Sequence, residues 1–165
     1  MNCDQFIITR LAGGLWHTTS QRLFEAIMTD GFVRPEPSIP GSDRYGGGRS
    51  VSFVRLIGGF SVFDVPNDFD VEQYRNDFRA SSIDEFMPYR RDWKRSIWIK
   101  IDPVACGNAV IGGSATLQRW RDEEAYSYRI MPEIEGAHVG DMPVSSILSV
   151  YSIGESDQDW RPVAP

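Results

Sequence analysis

Cysteine is nearly absent from this chain: Cys3 and Cys106 are its only two, far apart and outside any CxxC or Cys/His cluster. That excludes a disulfide scaffold and a thiolate metal site. No apolar run approaches the roughly 18 residues that a bilayer crossing needs, and the opening "MNCDQFIITR" lacks the basic region and apolar stretch of a secretion signal. The expected location is a reducing cytoplasm, with no membrane and no metal as partner. A basic surplus is missing as well: 17 Lys and Arg face 23 Asp and Glu, for a net charge of −6. Duplex DNA binding draws most of its affinity from phosphate neutralisation, so that function is disfavoured. Only "YRRDWKR", Tyr89 to Arg95, gathers cations beside aromatics, and a solvated face with Trp93 turned inward is the plainer reading of it.

What remains is enough for one folded domain. The chain has 165 residues, 41% of them hydrophobic and 12% aromatic. The stretch "GLWHTTSQRLFEAIMTDGF", Gly14 to Phe32, predicts a strand running into a helix. Leu23, Phe24, Ile27 and Met28 share one helical face, Ser20 suits the N-cap and Gly31 the C-terminal stop. Phe6 to Arg10 also reads as a short strand. "VRPEPSIPGSDRYGGGR" reads as a long surface loop, and "SVSFVRLI" after it as a strand. Asp70 to Arg95 carries a loose helical pattern broken at Pro88. "SIWIKIDP" is a strong strand, and "VSSILSVYSI" is a short turn leading into a closing strand. Helices early and strands late predict an α+β fold, with one domain over residues 1–154 and a polar, flexible tail over 155–165.

Three segments carry surplus polar chemistry. His17, Thr18 and Thr19 stand where the early strand ends, offering an imidazole and hydroxyls for hydrogen bonding. "GGGRSVSFVR" offers glycines that admit a ligand to the backbone, with Arg49 and Arg55 suited to a pyrophosphate and Ser52 facing away from Val51 and Phe53. In "PEIEGAHVGDMPVSSILSV", Glu133 and Glu135 are two apart, so on an extended chain both point to one face. Such a pair is costly unless water or a cation lies opposite.

In order and spacing these segments resemble the ADP-ribosyltransferase family, particularly bacterial and phage enzymes akin to the DarT DNA-modifying toxins. The resemblance rests on the strand ending in His17-Thr18-Thr19, on Leu23, Ile27 and Gly31 of the helix, on "SVSFVR" as a serine-bearing second strand, and on Glu135. That glutamate stands eight residues before Pro143 in Met142-Pro143-Val144-Ser145-Ser146-Ile147. The stretch from about Asp64 to Ala125 adds little to it. The resemblance implies a split β-sheet core flanked by helices, with NAD bound in its cleft as a substrate. His17 with Thr18 or Thr19 would bond ribose hydroxyls, and Arg49 or Arg55 would neutralise the pyrophosphate. Tyr45, Tyr74 or Tyr89 would stack on nicotinamide, Glu135 would be catalytic, and Glu133 would orient the acceptor.

The implied activity is mono-ADP-ribosyl transfer to a macromolecule, with protein favoured over single-stranded nucleic acid by the acidic net charge. The implied setting is a toxin, phage effector or counter-defence factor. Alternatives are an inactive ADP-ribosyltransferase-like protein-binding module and an NAD glycohydrolase. Acceptor identity and oligomeric state are not encoded in any motif.

Overall fold

Alternation of Ile97, Ile99 and Ile101 with Trp98 and Lys100 makes a strand with two different faces. In the computed structural model, which describes residues 2–36, 52–79, 83 and 88–164, this strand lies near the middle of one large sheet. The first half of the chain supplies α1 (Cys3–Phe6), β1 (Gly14–Ser20), α2 (Gln21–Asp30), β2 (Phe32–Val33), α3 (Phe53–Leu56), β3 (Gly59–Val65) and α4 (Val71–Asp77). The second half supplies β4 (Arg95–Ile101), α5 (Pro103–Cys106), β5 (Val110–Ile111), α6 (Gly113–Asp122), β6 (Glu135–Val139), β7 (Met142–Pro143), β8 (Ile147–Gly154) and β9 (Arg161–Val163). Seven strands pair in the order β5–β6–β3–β1–β4–β8–β9, every neighbour antiparallel, and β2 pairs with β7 apart from them. The fold is of mixed α+β type.

Both faces of the sheet are covered, so consecutive residues such as Ile97, Trp98 and Ile99 are all buried. One face is aromatic: Trp16, Phe63 and Trp98 meet Phe6, Ile7 and Leu11 from the N-terminal helical segment and Tyr74 from α4. The other is aliphatic: Leu15, Val62, Ile97, Ile99, Ile101 and Val150 meet Phe24 of α2 and Met142. Each fully buried side chain of this size contributes about 1.5–3 kcal/mol relative to exposure.

The helix after β1 forms as its sequence dictates. The Ser20 hydroxyl accepts from Leu23 N–H at 3.2 Å, and Gly31 closes the helix at φ 82°.

Elsewhere packing overrides local pattern. Phe6 to Arg10 is helical rather than extended: α1 runs into a wide turn over Ile7–Leu11. A strand would send Phe6 and Ile7 to opposite sides, whereas the helical path turns Phe6, Ile7 and Leu11 into one core and leaves Ile8 47% exposed. "SVSFVR" is not the second strand either. Its described part forms the single turn α3, with Phe53 and Val54 both fully buried, and the strand is "GFSVFDV", Gly59–Val65. The glycine-punctuated stretch before Tyr126 contains α6, which buries Thr116 and Leu117.

The segment from Glu155, expected to be a flexible tail, is docked. β9 pairs with β8, Trp160 stacks on Tyr151 at 4.3 Å, Asp159 pairs with Arg10, and Asp157 pairs with Arg95 at 2.7 Å. Much of the basic stretch around Trp93 is neutralised in the same way. Arg90 pairs with Asp92 and lies 4.8 Å over the Trp93 ring, while Arg91 lies 3.5 Å from Glu155. Among the described residues no helix is long and apolar enough to cross a membrane, and no group of three or more His, Cys, Asp or Glu is placed to hold a metal ion.

Candidate functional site

The sheet divides at its centre. β1 and β3 pair from Gly14↔Val65 to Trp16↔Phe63. Beyond that pair β1 continues along β4 to Ser20, while β3 continues along β6 to Gly59. His17 is the first residue past the fork. Its Nδ1 lies 2.9 Å from the Ser61 carbonyl, across the gap that a backbone ladder bond would otherwise close. A carbonyl only accepts, so Nδ1 carries the proton and the neutral ring leaves Nε2 as an acceptor. Burial holds the imidazole below its ordinary value of 6.5, opposed by the Ser61 bond and assisted by the nearby His138. The Phe60 ring meets His17 edge-on at 5.0 Å and stacks on His138 at 5.0 Å.

Ser61 also faces the other way. Its hydroxyl donates to Glu135 Oε1 at 2.6 Å, and Met131 N–H donates to Oε2 at 2.7 Å. Glu135 N–H returns a bond to the Met131 carbonyl at 3.0 Å, so backbone and side chain grip the same residue. Burial pushes the Glu135 carboxyl up, and the two donors oppose it. They favour the ionised form and fix its orientation. Imidazole and carboxylate thus both contact Ser61, but from opposite faces of the sheet: the Glu135 carboxylate lies on the face of Ser61, Phe63 and Trp16, and the His17 ring on the face of Phe60 and His138.

The turn that delivers Glu135 is strained. Ile134 N–H bonds the Pro132 carbonyl at 2.7 Å across Glu133, which adopts φ 61°. A three-residue turn with positive φ at a residue other than glycine is rare and costs energy. Glu133 therefore stands exposed in a turn before β6, not on a strand face beside Glu135 as the spacing implied.

The remaining candidates scatter. Thr18 gives its hydroxyl to the Ile97 carbonyl at 3.2 Å, and Thr19 is buried in the sheet. Ser52 caps α3 beside Arg129, with Phe53 N–H bonded to the Arg129 carbonyl at 3.0 Å. That places Ser52 next to the segment two residues before Met131. Arg55 Nε pairs with Glu36 at 3.6 Å, beyond hydrogen-bond reach; among the described residues, buried Ser52 Oγ and Arg55 Nε make no hydrogen bond. Arg49, Tyr45 and most of the glycine-rich loop lie outside the described residues. Tyr74 is a core residue whose hydroxyl bonds the Pro132 carbonyl at 2.8 Å, and Tyr89 packs against the same core.

Sequence reasoning missed Ser61 and the Met131 amide. The available signal was a hydroxyl between Phe60 and Val62 in an otherwise apolar alternation. At the free end of β1 a groove of about 620 Å3 opens between Ser20, Arg22 and Glu25 on one side and Trp93 and Lys94 on the other. Ser20 is three residues, roughly 10 Å, along the strand from His17.

Comparison with protein-family models, with characterised proteins and with solved structures finds no match.

Proposed function

We propose that the chain is an NAD-dependent mono-ADP-ribosyltransferase, with Glu135 as its catalytic carboxylate and His17 as a ribose-binding group. The observation that carries this reading is the Glu135 carboxylate beside the fork of the sheet, gripped by the Ser61 hydroxyl and the Met131 amide. Three features of the chain fit NAD as substrate. A half-buried carboxylate is held by two donors, an imidazole has its Nε2 left as an acceptor, and among the described residues two buried polar atoms, Ser52 Oγ and Arg55 Nε, make no hydrogen bond. The groove at the end of β1 adds an aromatic face at Trp93 and cations at Arg22 and Lys94.

The chemistry follows from charge. Breaking the bond between nicotinamide and its ribose develops positive charge on the sugar. A carboxylate already oriented toward that sugar stabilises the charge without reorganising, an effect worth roughly 3–4 kcal/mol for one well-placed group. The Ser61 and Met131 donors favour the ionised form of Glu135 against the burial that raises its carboxyl, and they fix its direction. His17, on the other face of the sheet, is the proposed contact for the adenosine-side ribose hydroxyls through Nε2. Arg49 and Arg55 remain the proposed contacts for the pyrophosphate, whereas Thr19 is buried in the sheet and the Thr18 hydroxyl is engaged by the Ile97 carbonyl. Protein is the favoured acceptor, because Arg90, Arg91 and Arg95 are each engaged by an acidic side chain.

The test is incubation with labelled NAD and a cell lysate. Label on protein together with nicotinamide release supports transfer, and nicotinamide release without label on any macromolecule would make the chain a glycohydrolase. Absence of release with native NAD binding would identify an inactive module.

A further inference from the structure

The close packing of α6 against the Glu133 turn has no role in the chemistry above. α6 begins where β5 ends, and its first residue, Gly113, presses on that turn. A Cβ at position 113 would stand 1.8 Å from the Glu133 carbonyl oxygen and 2.4 Å from its carbon. The contact is mirrored one step along, where a Cβ on Gly136 would stand 2.6 Å from the Ile111 carbonyl. The partners are backbone atoms, which cannot swing aside as a side chain would. Asp64 ties the two segments together: its Oδ2 accepts from Gly113 N–H at 3.0 Å, and its backbone N–H donates to the Ile134 carbonyl at 2.9 Å. The turn therefore has α6 on one side, Asp64 beneath it, and the Tyr74 hydroxyl on the Pro132 carbonyl. It gives the site the Met131 N–H that holds the Glu135 carboxylate.

We infer that Gly113 is a positioning residue for Glu135: the backbone of α6, seated by Asp64, holds the strained Glu133 turn in the one arrangement that aims Met131 N–H at the carboxylate. The catalytic consequence rests on the transferase reading above, while the structural consequence does not. A strained turn persists only where its surroundings over-determine it, and here the surroundings are a glycine backbone and one carboxylate.

The experiment compares amide hydrogen exchange at Met131 with that at Ile99, deep in β4, together with nicotinamide release, in the wild-type chain and in Gly113→Ala, Asp64→Ala and Ser114→Ala. In Gly113→Ala, Met131 exchange is expected to accelerate at least roughly tenfold more than Ile99 exchange, with kcat lower by a similar factor and KM for NAD unchanged. Asp64→Ala moves Met131 in the same direction by a smaller factor, and Ser114→Ala, on the exposed face of α6, moves neither amide. If Gly113→Ala does not fold, Asp64→Ala supplies the comparison. Equal acceleration at Met131 and Ile99, or none at either, overturns the inference. A wild-type chain that releases no nicotinamide refutes the transferase reading and leaves the exchange comparison to judge the positioning.

Discussion

The two halves of the divided sheet are built on different principles. On one side of the fork, β1, β4 and β8 form long ladders, with β9 at the edge, filled by Trp16, Ile97, Trp98, Ile99 and Val150, and Ser96 to Ile99 are buried without interruption. On the other, β3, β6 and β5 form shorter ladders that carry Ser61, Glu135, His138 and the strained Glu133 turn. The first half is filled almost wholly by apolar packing; the second adds to its buried Phe60, Val62 and Phe63 a set of side-chain hydrogen bonds and tight backbone contacts. Stability should therefore reside in the first half and chemistry in the second, with His17 at the junction.

The largest expected effect tests that division at its stable end. Trp98→Ala empties a fully buried site whose indole bonds the Pro88 carbonyl at 2.7 Å, and should cost about 3–5 kcal/mol of unfolding free energy in a denaturant titration. Next comes Glu135→Gln. A near-isosteric amide can still accept from Met131 and donate to Ser61, so melting should be almost unchanged while nicotinamide release falls roughly 10²- to 10³-fold. Retained release would remove Glu135 from the reaction.

Ser61→Ala strips Oε1 of its donor and should lower turnover roughly 10- to 100-fold. Because the Ser61 hydroxyl opposes the burial that raises Glu135, its loss pushes the carboxyl further up. The acidic limb of the pH–rate profile should then move to higher pH, and an unmoved limb would count against an ionised Glu135.

The smallest effect is on stability against pH. His17 has a depressed value in the folded chain, so below its ordinary 6.5 the unfolded chain binds the proton first and stability falls as pH drops toward the folded value. Glu135 has a raised value, so between its ordinary 4.5 and that value the folded chain binds the extra proton and stability falls as pH rises. The two slopes oppose each other where the windows overlap. His17→Ala should flatten the acid-side loss seen in urea titrations across pH 5–7 (about one unit either side of pH 6) and weaken NAD binding more than it weakens the fold. A large fall in melting temperature with unchanged NAD affinity would return His17 to a structural role.

How much was legible differs between the same two halves. In the stable half, alternation at Ile97 to Ile101 and the Ser20 and Gly31 helix stops are local signals, each read within a few residues, and the structure keeps them. In the other half the signals are nonlocal. Ser61 gains meaning only because Glu135 and His17 arrive from distant strands, and "SVSFVR" mimics a strand while burying Phe53 and Val54 in a single helical turn. Phe6 to Arg10 failed for the same reason, since a β-rich run adopts the helix that lets Phe6, Ile7 and Leu11 share one core.

The amino-acid order alone determined the central strand, the α2 helix and the mixed fold class, because periodicity and capping act over a few residues. The fork beyond Trp16, the contacts of His17 and Glu135 with Ser61 from opposite faces of the sheet, and the strained turn at Glu133 were decided by tertiary structure. Strand pairing and close backbone approach join segments far apart in the chain, and no local pattern records which backbone carbonyl an imidazole will find.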